Sequence, residues 1–172
     1  MIFFYKIFTN IFFPVFILVI FFRKFFNKEH KKRYKEKFVI SSQLGRFQLE
    51  NKKIIWIHTA SIGEMNSITP IVNKLTENNK EVFILITSIT LSSSQIFEKN
   101  FRDNKNVYHH FLPLDVSFLI EKFLNYLKPE KVIFVDSEIW PNTLRIIKSK
   151  KIPLILLNAR ISNKTFKRWK MI

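Results

Sequence analysis

A chain of 172 residues with 47% apolar composition is long enough for one core-bearing domain and a short appendage. It has no cysteine, which excludes disulfides, thiolate metal sites and cysteine nucleophiles. Its net charge of +16 calls for an anionic partner, whether an acidic membrane surface, a phosphorylated substrate or nucleic acid, although a sequence so crowded with Lys, Ile, Phe and Asn owes part of that charge to composition.

The first element in the chain is apolar. Residues 11–22, IFFPVFILVIFF, contain no polar side chain, and the 21 positions of 2–22 are broken chiefly by Lys6, Thr9 and Asn10. A bilayer core of about 30 Å takes roughly 20 residues of helix, so residues 1–40 read as a membrane anchor, spanning or interfacial, with Pro14 predicted to kink it. Eight Lys and Arg against two acids follow in residues 23–37. That arrangement marks the cytoplasmic side of an anchor and attracts anionic headgroups. A signal peptide would carry its charges before the apolar run and small residues after it, which is not the pattern here.

Residues 41–53, SSQLGRFQLENKK, read as a linker opening the folded domain, 41–172. From there short apolar runs alternate with amphipathic stretches. Strands are predicted at 54–60, 81–88, 106–114, 131–137 and 152–159, and helices near 64–79, 92–101, 116–127 and 140–150. Strand and helix in alternation predict an α/β domain with a Rossmann-like parallel sheet, its apolar strands buried on both faces. Ligands of such folds gather at the carboxyl ends of the strands.

Three clusters fall at those ends. Gly63 and Glu64 follow the first strand in IHTASIGE, where Gly63 is expected to allow a left-handed or very close backbone and Ser61 to cap the next helix. Glu64 reads locally as a first-turn carboxylate complementing the helix dipole. Asp136 and Glu138 follow the fourth strand in DSEIWPN and would share one side if the strand continued. Asn158, Arg160 and Ser162 follow the fifth in NARIS, a set able to hold an anionic group. His58, His109 and His110 match no metal-ligand spacing, and His58 within a strand reads as a packed, hydrogen-bonded histidine. The hydroxyl-rich TSITLSSS has no glycine, so it is no phosphate-cradling loop.

Taken in order, KKRYKEKF after the apolar segment, IHTASIGE, TSITLSSS, HHFLPLD, DSEIWPN and NARISNKTFKRW resemble the amino-terminal half of the 3-deoxy-D-manno-octulosonic acid (Kdo) transferases. The resemblance covers nearly the whole chain. It implies the amino-terminal, acceptor-binding domain of a GT-B glycosyltransferase, with Glu64 as general base and Glu138 as an assisting acid. Ser61, Gly63, Asp136, Asn158 and Arg160 fall at the substrate site. It also implies CMP-Kdo as donor substrate with no cofactor or metal, a lipid A precursor as acceptor, and the cytoplasmic face of a bacterial inner membrane as location. The carboxyl-terminal donor domain is absent from this sequence. Two positions depart from the family pattern: Ser93 stands where the hydroxyl-rich loop usually ends in glycine, and Asp136 replaces the first acid of a Glu-x-Glu pair. The alternative reading is a non-catalytic membrane-anchored module, or a split-gene remnant, that binds anionic lipid. Nucleic-acid binding rests on charge alone, with no motif to support it.

Overall fold

The computed structural model describes residues 2–38, 53–79, 81–136 and 139–159. Five parallel strands form one sheet: β1 (Lys53–His58), β2 (Val82–Ser88), β3 (Val107–Phe111), β4 (Lys131–Val135) and β5 (Leu154–Leu157), in the order β3-β2-β1-β4-β5. Between them run α3 (Ile62–Asn78), α4 (Leu91–Phe101), α5 (Ser117–Leu127) and α6 (Pro141–Ser149). This is the predicted Rossmann-like arrangement, each strand a residue or more shorter than its apolar run. The predicted linker lies almost wholly outside the described residues.

Alternation along the strands sorts the core into two layers. Ile54 and Trp56 of β1 join Phe83 and Leu85 of β2 under α5 and α6, packed with Phe123 and Phe134. On the other face Ile57, Ile84 and Ile86 meet Met65, Ile68 and Val72 of α3 and Phe97 and Phe101 of α4. All of β2 is buried, as expected for a strand covered on both sides. β5 differs: Leu154, Ile155 and Leu156 at the sheet edge are 40–49% exposed.

The apolar amino terminus is two helices, α1 (Ile2–Ile11) and α2 (Phe13–Phe25), bent by 58°. Pro14 lies in the first turn of α2, where its missing N–H is tolerated and where it prevents α1 from continuing straight. Among the described residues no single helix is long and apolar enough to cross a membrane; the bent pair passes by length and composition only. This replaces the single 21-residue span that the sequence allows.

The pair is fastened to the sheet domain by buried polar groups. Asn142 Nδ2 donates to Thr9 Oγ1 (3.0 Å) and to the Asp115 carbonyl (2.6 Å), and Asn142 Oδ1 accepts from Ser117 Oγ (3.0 Å). Asp115 in turn accepts from the N–H groups of Asn142 and Thr143 at the start of α6, and from the Thr143 hydroxyl. Burial, then the Asp115 carboxylate bonded to it, pushes the Tyr5 hydroxyl up to about 12. Asn142→Ala leaves several of these groups unmatched and is expected to cost about 1–3 kcal/mol. Urea denaturation measures that loss, and hydrogen exchange should show α1 losing protection before the sheet does.

A 3-10 turn, Arg33–Lys37, continues the fastening. Arg33 forks onto Glu36 at 2.8 and 3.3 Å, and Glu36 also accepts from the Phe111 N–H at 2.9 Å. Arg23 and Lys37 both bind Glu29, at 2.7 and 2.6 Å. Three of the eight basic residues of 23–37 are therefore paired with carboxylates, and a fourth, Lys24, lies over the Tyr34 ring. Lys28, Lys31, Lys32 and Lys35 remain exposed.

Candidate functional site

The chain runs outward from β1 to β2 and β3, then returns to the other side of β1 for β4 and β5. The sheet's direction of winding reverses between β1 and β4, and the carboxyl ends there are where open α/β sheets leave a crevice for ligands. β1 and β4 pair with His58 opposite Phe134. Continuing that register brings Ala60 level with Asp136.

Ser61 caps α3, accepting from the Glu64 N–H at 3.2 Å. The Glu64 carboxylate reaches back: Oε2 accepts from the Ala60 N–H at 2.7 Å, and Oε1 from the Ser61 hydroxyl at 2.8 Å. This is a reciprocal capping arrangement, and it fixes a half-buried carboxylate just beyond the carboxyl end of β1. The capping role predicted for Ser61 is thus present. The backbone role predicted for Gly63 is not, because no described glycine has positive φ and Gly63 sits in the first helical turn. A Cβ added there would meet only Ser61 Oγ, at 3.9 Å. Nothing in the local fold requires this glycine; it leaves open space beside Glu64.

At the carboxyl ends of the strands the left-handed positions are instead Asp136 (φ 57°) and Asn158 (φ 56°), residue types that tolerate that region. Strand β4 stops at Val135, so the strand continuation under which Asp136 and Glu138 would share a side is not present at Asp136, and Glu138 lies outside the described residues. Asp136 and Asn158 end neighbouring strands, and Asn158 Nδ2 donates to Asp136 Oδ1 at 2.6 Å. The structure therefore places Asp136 and Asn158 at the ends of the adjacent strands β4 and β5, and Glu64 in the first turn of the helix that follows β1. Glu138, Arg160 and Ser162 lie outside the described residues.

Ser93 was legible in the sequence only as a departure from a pattern. It is fully buried, bonds Thr90 Oγ1 at 2.7 Å, and reaches the Ala60 carbonyl at 3.4 Å. It thereby ties the start of α4 to the loop that carries Glu64. His58 packs as predicted, with Nδ1 2.9 Å from Thr87 Oγ1 and its ring against Phe134 and Trp140. Among the described residues no group of three or more His, Asp or Glu side chains is placed to hold a metal ion.

His109 has a different role from either metal or site. Its Nδ1 lies 2.6 Å from Arg33 Nη2, which can only donate, so the ring proton belongs on Nε2, 2.8 Å from Ser88 Oγ. Burial first, then Arg33 and the neighbouring His110 and His30, holds His109 well below the usual histidine range. Burial also lowers His110 and His30, against Glu36 and, for His30, Glu98. Histidines kept neutral in the fold but free to charge near pH 6.5 when unfolded bind fewer protons folded than unfolded. Stability at neutral pH should accordingly fall as pH drops through about 6.5, by up to about 1.4 kcal/mol per pH unit for each proton taken up. Thermal melts between pH 7.5 and 5 check the slope, which His109→Gln should reduce.

Residues 32–172 match the family described as 3-deoxy-D-manno-octulosonic-acid transferase (kdotransferase). The chain belongs to the Kdo transferase family. It is 38% identical over 135 residues to the 3-deoxy-D-manno-octulosonic acid transferase of Rickettsia bellii, covering 78% of this chain and 31% of that one. Against the transferase of the same name from Haemophilus influenzae it is 35% identical over 115 residues, covering 67% and 26%. The chain thus spans about a third or less of the curated Kdo transferases it matches. Among solved structures, the S. aureus MnaA complex with UDP superposes with a TM-score of 0.51 at 17% identity, over 69% of this chain and 30% of that one. That likeness concerns the fold.

Proposed function

We propose that this chain is the acceptor-binding half of a GT-B Kdo transferase that moves Kdo from CMP-Kdo to a lipid A precursor during lipopolysaccharide inner-core synthesis. The observation that carries this reading is the Glu64 carboxylate, held at the β1 edge of the crevice by Ala60 and Ser61 within a motif of the family. In the proposed step the acceptor hydroxyl gives its proton to Glu64, its oxygen bonds to the anomeric carbon of Kdo with inversion, and the bond to the CMP phosphate oxygen breaks. Open space at Gly63 admits the sugar close to that carboxylate. Asp136 and Asn158, with Glu138 and Arg160 beyond them, are assigned to the substrate site, and Glu138 to an assisting acid role. No cofactor or metal enters this scheme. The CMP-Kdo site belongs to a carboxyl-terminal donor domain.

The exposed Phe, Leu and Ile side chains of α1 and α2, beside exposed Lys28, Lys31, Lys32 and Lys35, support a location on the cytoplasmic face of a bacterial inner membrane. A second reading, a non-catalytic module binding anionic lipid, is favoured by one fact: both Glu64 oxygens already serve the cap of α3. The deciding assay is Kdo transfer from CMP-Kdo, generated in situ, to a tetraacylated lipid A precursor, with this chain alone and with a donor domain added. Transfer only in the mixture supports the first reading. No transfer in either, with a working control enzyme, leaves the second.

A further inference from the structure

The carboxylate assigned above to proton transfer is held by two groups of its own loop, the Ala60 N–H and the Ser61 hydroxyl. The loop itself is held from three sides. Its first residue is fixed by the sheet, since the Thr59 N–H donates to the Thr87 carbonyl at 2.9 Å and prolongs the pairing of β1 with β2. Its last is fixed by the helix, since the Met65 N–H donates to the Ser61 carbonyl at 3.1 Å. Between them, the Ala60 carbonyl accepts from a different element, the fully buried Ser93 in the first turn of α4.

The protons in this contact have one direction. A carbonyl only accepts, so the single Ser93 hydroxyl proton points to Ala60, at 3.4 Å. Thr90 Oγ1, 2.7 Å from Ser93 Oγ, is then the donor of that pair, and it still accepts from the Ser93 N–H at 3.2 Å. The result is a chain from the Thr90 hydroxyl to the Ser93 hydroxyl to the Ala60 carbonyl, in which the first donor polarises the second. Capping α4 needs only part of this, because Thr90 accepts the residue 93 N–H whether or not that residue has a hydroxyl. The family pattern has glycine here, so the tie belongs to this chain and not to machinery its relatives share. At 3.4 Å it is a long bond, and its loss should loosen the loop without collapsing it.

We propose that Ser93, backed by Thr90, is a positioning residue for Glu64. It holds the Ala60 carbonyl, and with it the orientation in which the Ala60 N–H and the Ser61 hydroxyl aim the carboxylate at the acceptor hydroxyl. Ser93 acts through the loop and touches no reacting atom. This rests on the reading of Glu64 as the base.

The first test needs no transfer activity. In the 172-residue chain, hydrogen exchange of the Ala60 N–H reports its bond to Glu64, and Ser93→Ala should speed that exchange about tenfold while the Ile68 and Val72 amides of α3 keep their rates. In the reconstituted transferase Ser93→Ala should lower kcat about fivefold with the acceptor KM unchanged. Thr90→Val should act in the same sense, by about threefold, and Thr90→Ser, which keeps the hydroxyl, should hold the parent rate. The deciding comparison is the double variant: with Glu64→Gln already in place there is no base to position, and adding Ser93→Ala should change kcat by less than about twofold. An equal fall in both backgrounds would overturn the proposal, because it describes damage to the fold. Unchanged Ala60 exchange in Ser93→Ala would overturn it as well. A kcat indifferent to Glu64→Gln would instead remove the base on which the proposal rests, and faster Ala60 exchange would then leave Ser93 as a tie of the loop alone.

Discussion

Glu64→Gln is expected to lower Kdo transfer by about 10²–10⁴-fold in the reconstituted enzyme, through kcat, with the acceptor KM little changed. Gln keeps the shape of the side chain and one carbonyl oxygen, so it can still accept from the Ala60 N–H. Ser61 can rotate its hydroxyl to accept from the new amide, since it already accepts from the residue 64 N–H. The cap of α3 should therefore lose no more than about 1 kcal/mol. What Gln cannot do is take a proton from the attacking hydroxyl. A kcat unchanged by the substitution would leave Glu64 as a capping residue only. A large loss of melting temperature would mean that the rate loss reports folding instead.

Glu36→Ala should have the largest effect on stability, about 3–5 kcal/mol, against a usual total of about 5–15 for a domain. Its carboxylate is 2% exposed and bonds two nitrogens of Arg33 and the Phe111 N–H. Removal leaves that N–H without its partner and strips the nearest counter-charge from a guanidinium that is itself only 16% exposed. The remaining carboxylate, Glu98, is 3.7 Å away and mostly in solvent, where it compensates little. Thermal denaturation should show a fall on the order of 10 °C. Glu98→Ala, the control, should stay within about 0.5 kcal/mol of the parent. Because Arg33 also bonds the ring and carbonyl of His109, proteolysis within residues 28–38 should rise in Glu36→Ala before the sheet unfolds.

The apolar runs of the five strands and the helical spacing between them were enough to predict a parallel α/β sheet, because burial on both faces leaves a continuous apolar signal that needs no partner to interpret. Ser61 as a cap was equally local: a hydroxyl one residue before a helix has few other uses. His58 as a packed histidine followed from its place within a buried strand.

Gly63 was misread for an instructive reason. A glycine at a strand end usually marks an unusual dihedral, but here the left-handed turns fall on Asp136 and Asn158, and the glycine leaves space instead of curvature. Two carboxylates in an otherwise basic stretch, Glu29 and Glu36, gave no signal either. Their basic partners Arg23, Arg33 and Lys37 lie within eight residues, but Glu36 also accepts from the N–H of Phe111, 75 residues away, which only folding brings near.

The sequence by itself determined the sheet, its helices, the family and the positions of the acids at strand ends, because local pattern and motif spacing carry those directly. Only the tertiary structure decided that the winding reverses beside Glu64 and that Asp136 pairs with Asn158. The same holds for the apolar amino terminus, which is bent and pinned to α6 through Thr9 and Asn142. Each of these depends on contacts between residues far apart in the chain, whose geometry is set by how the layers pack and not by what any one segment prefers.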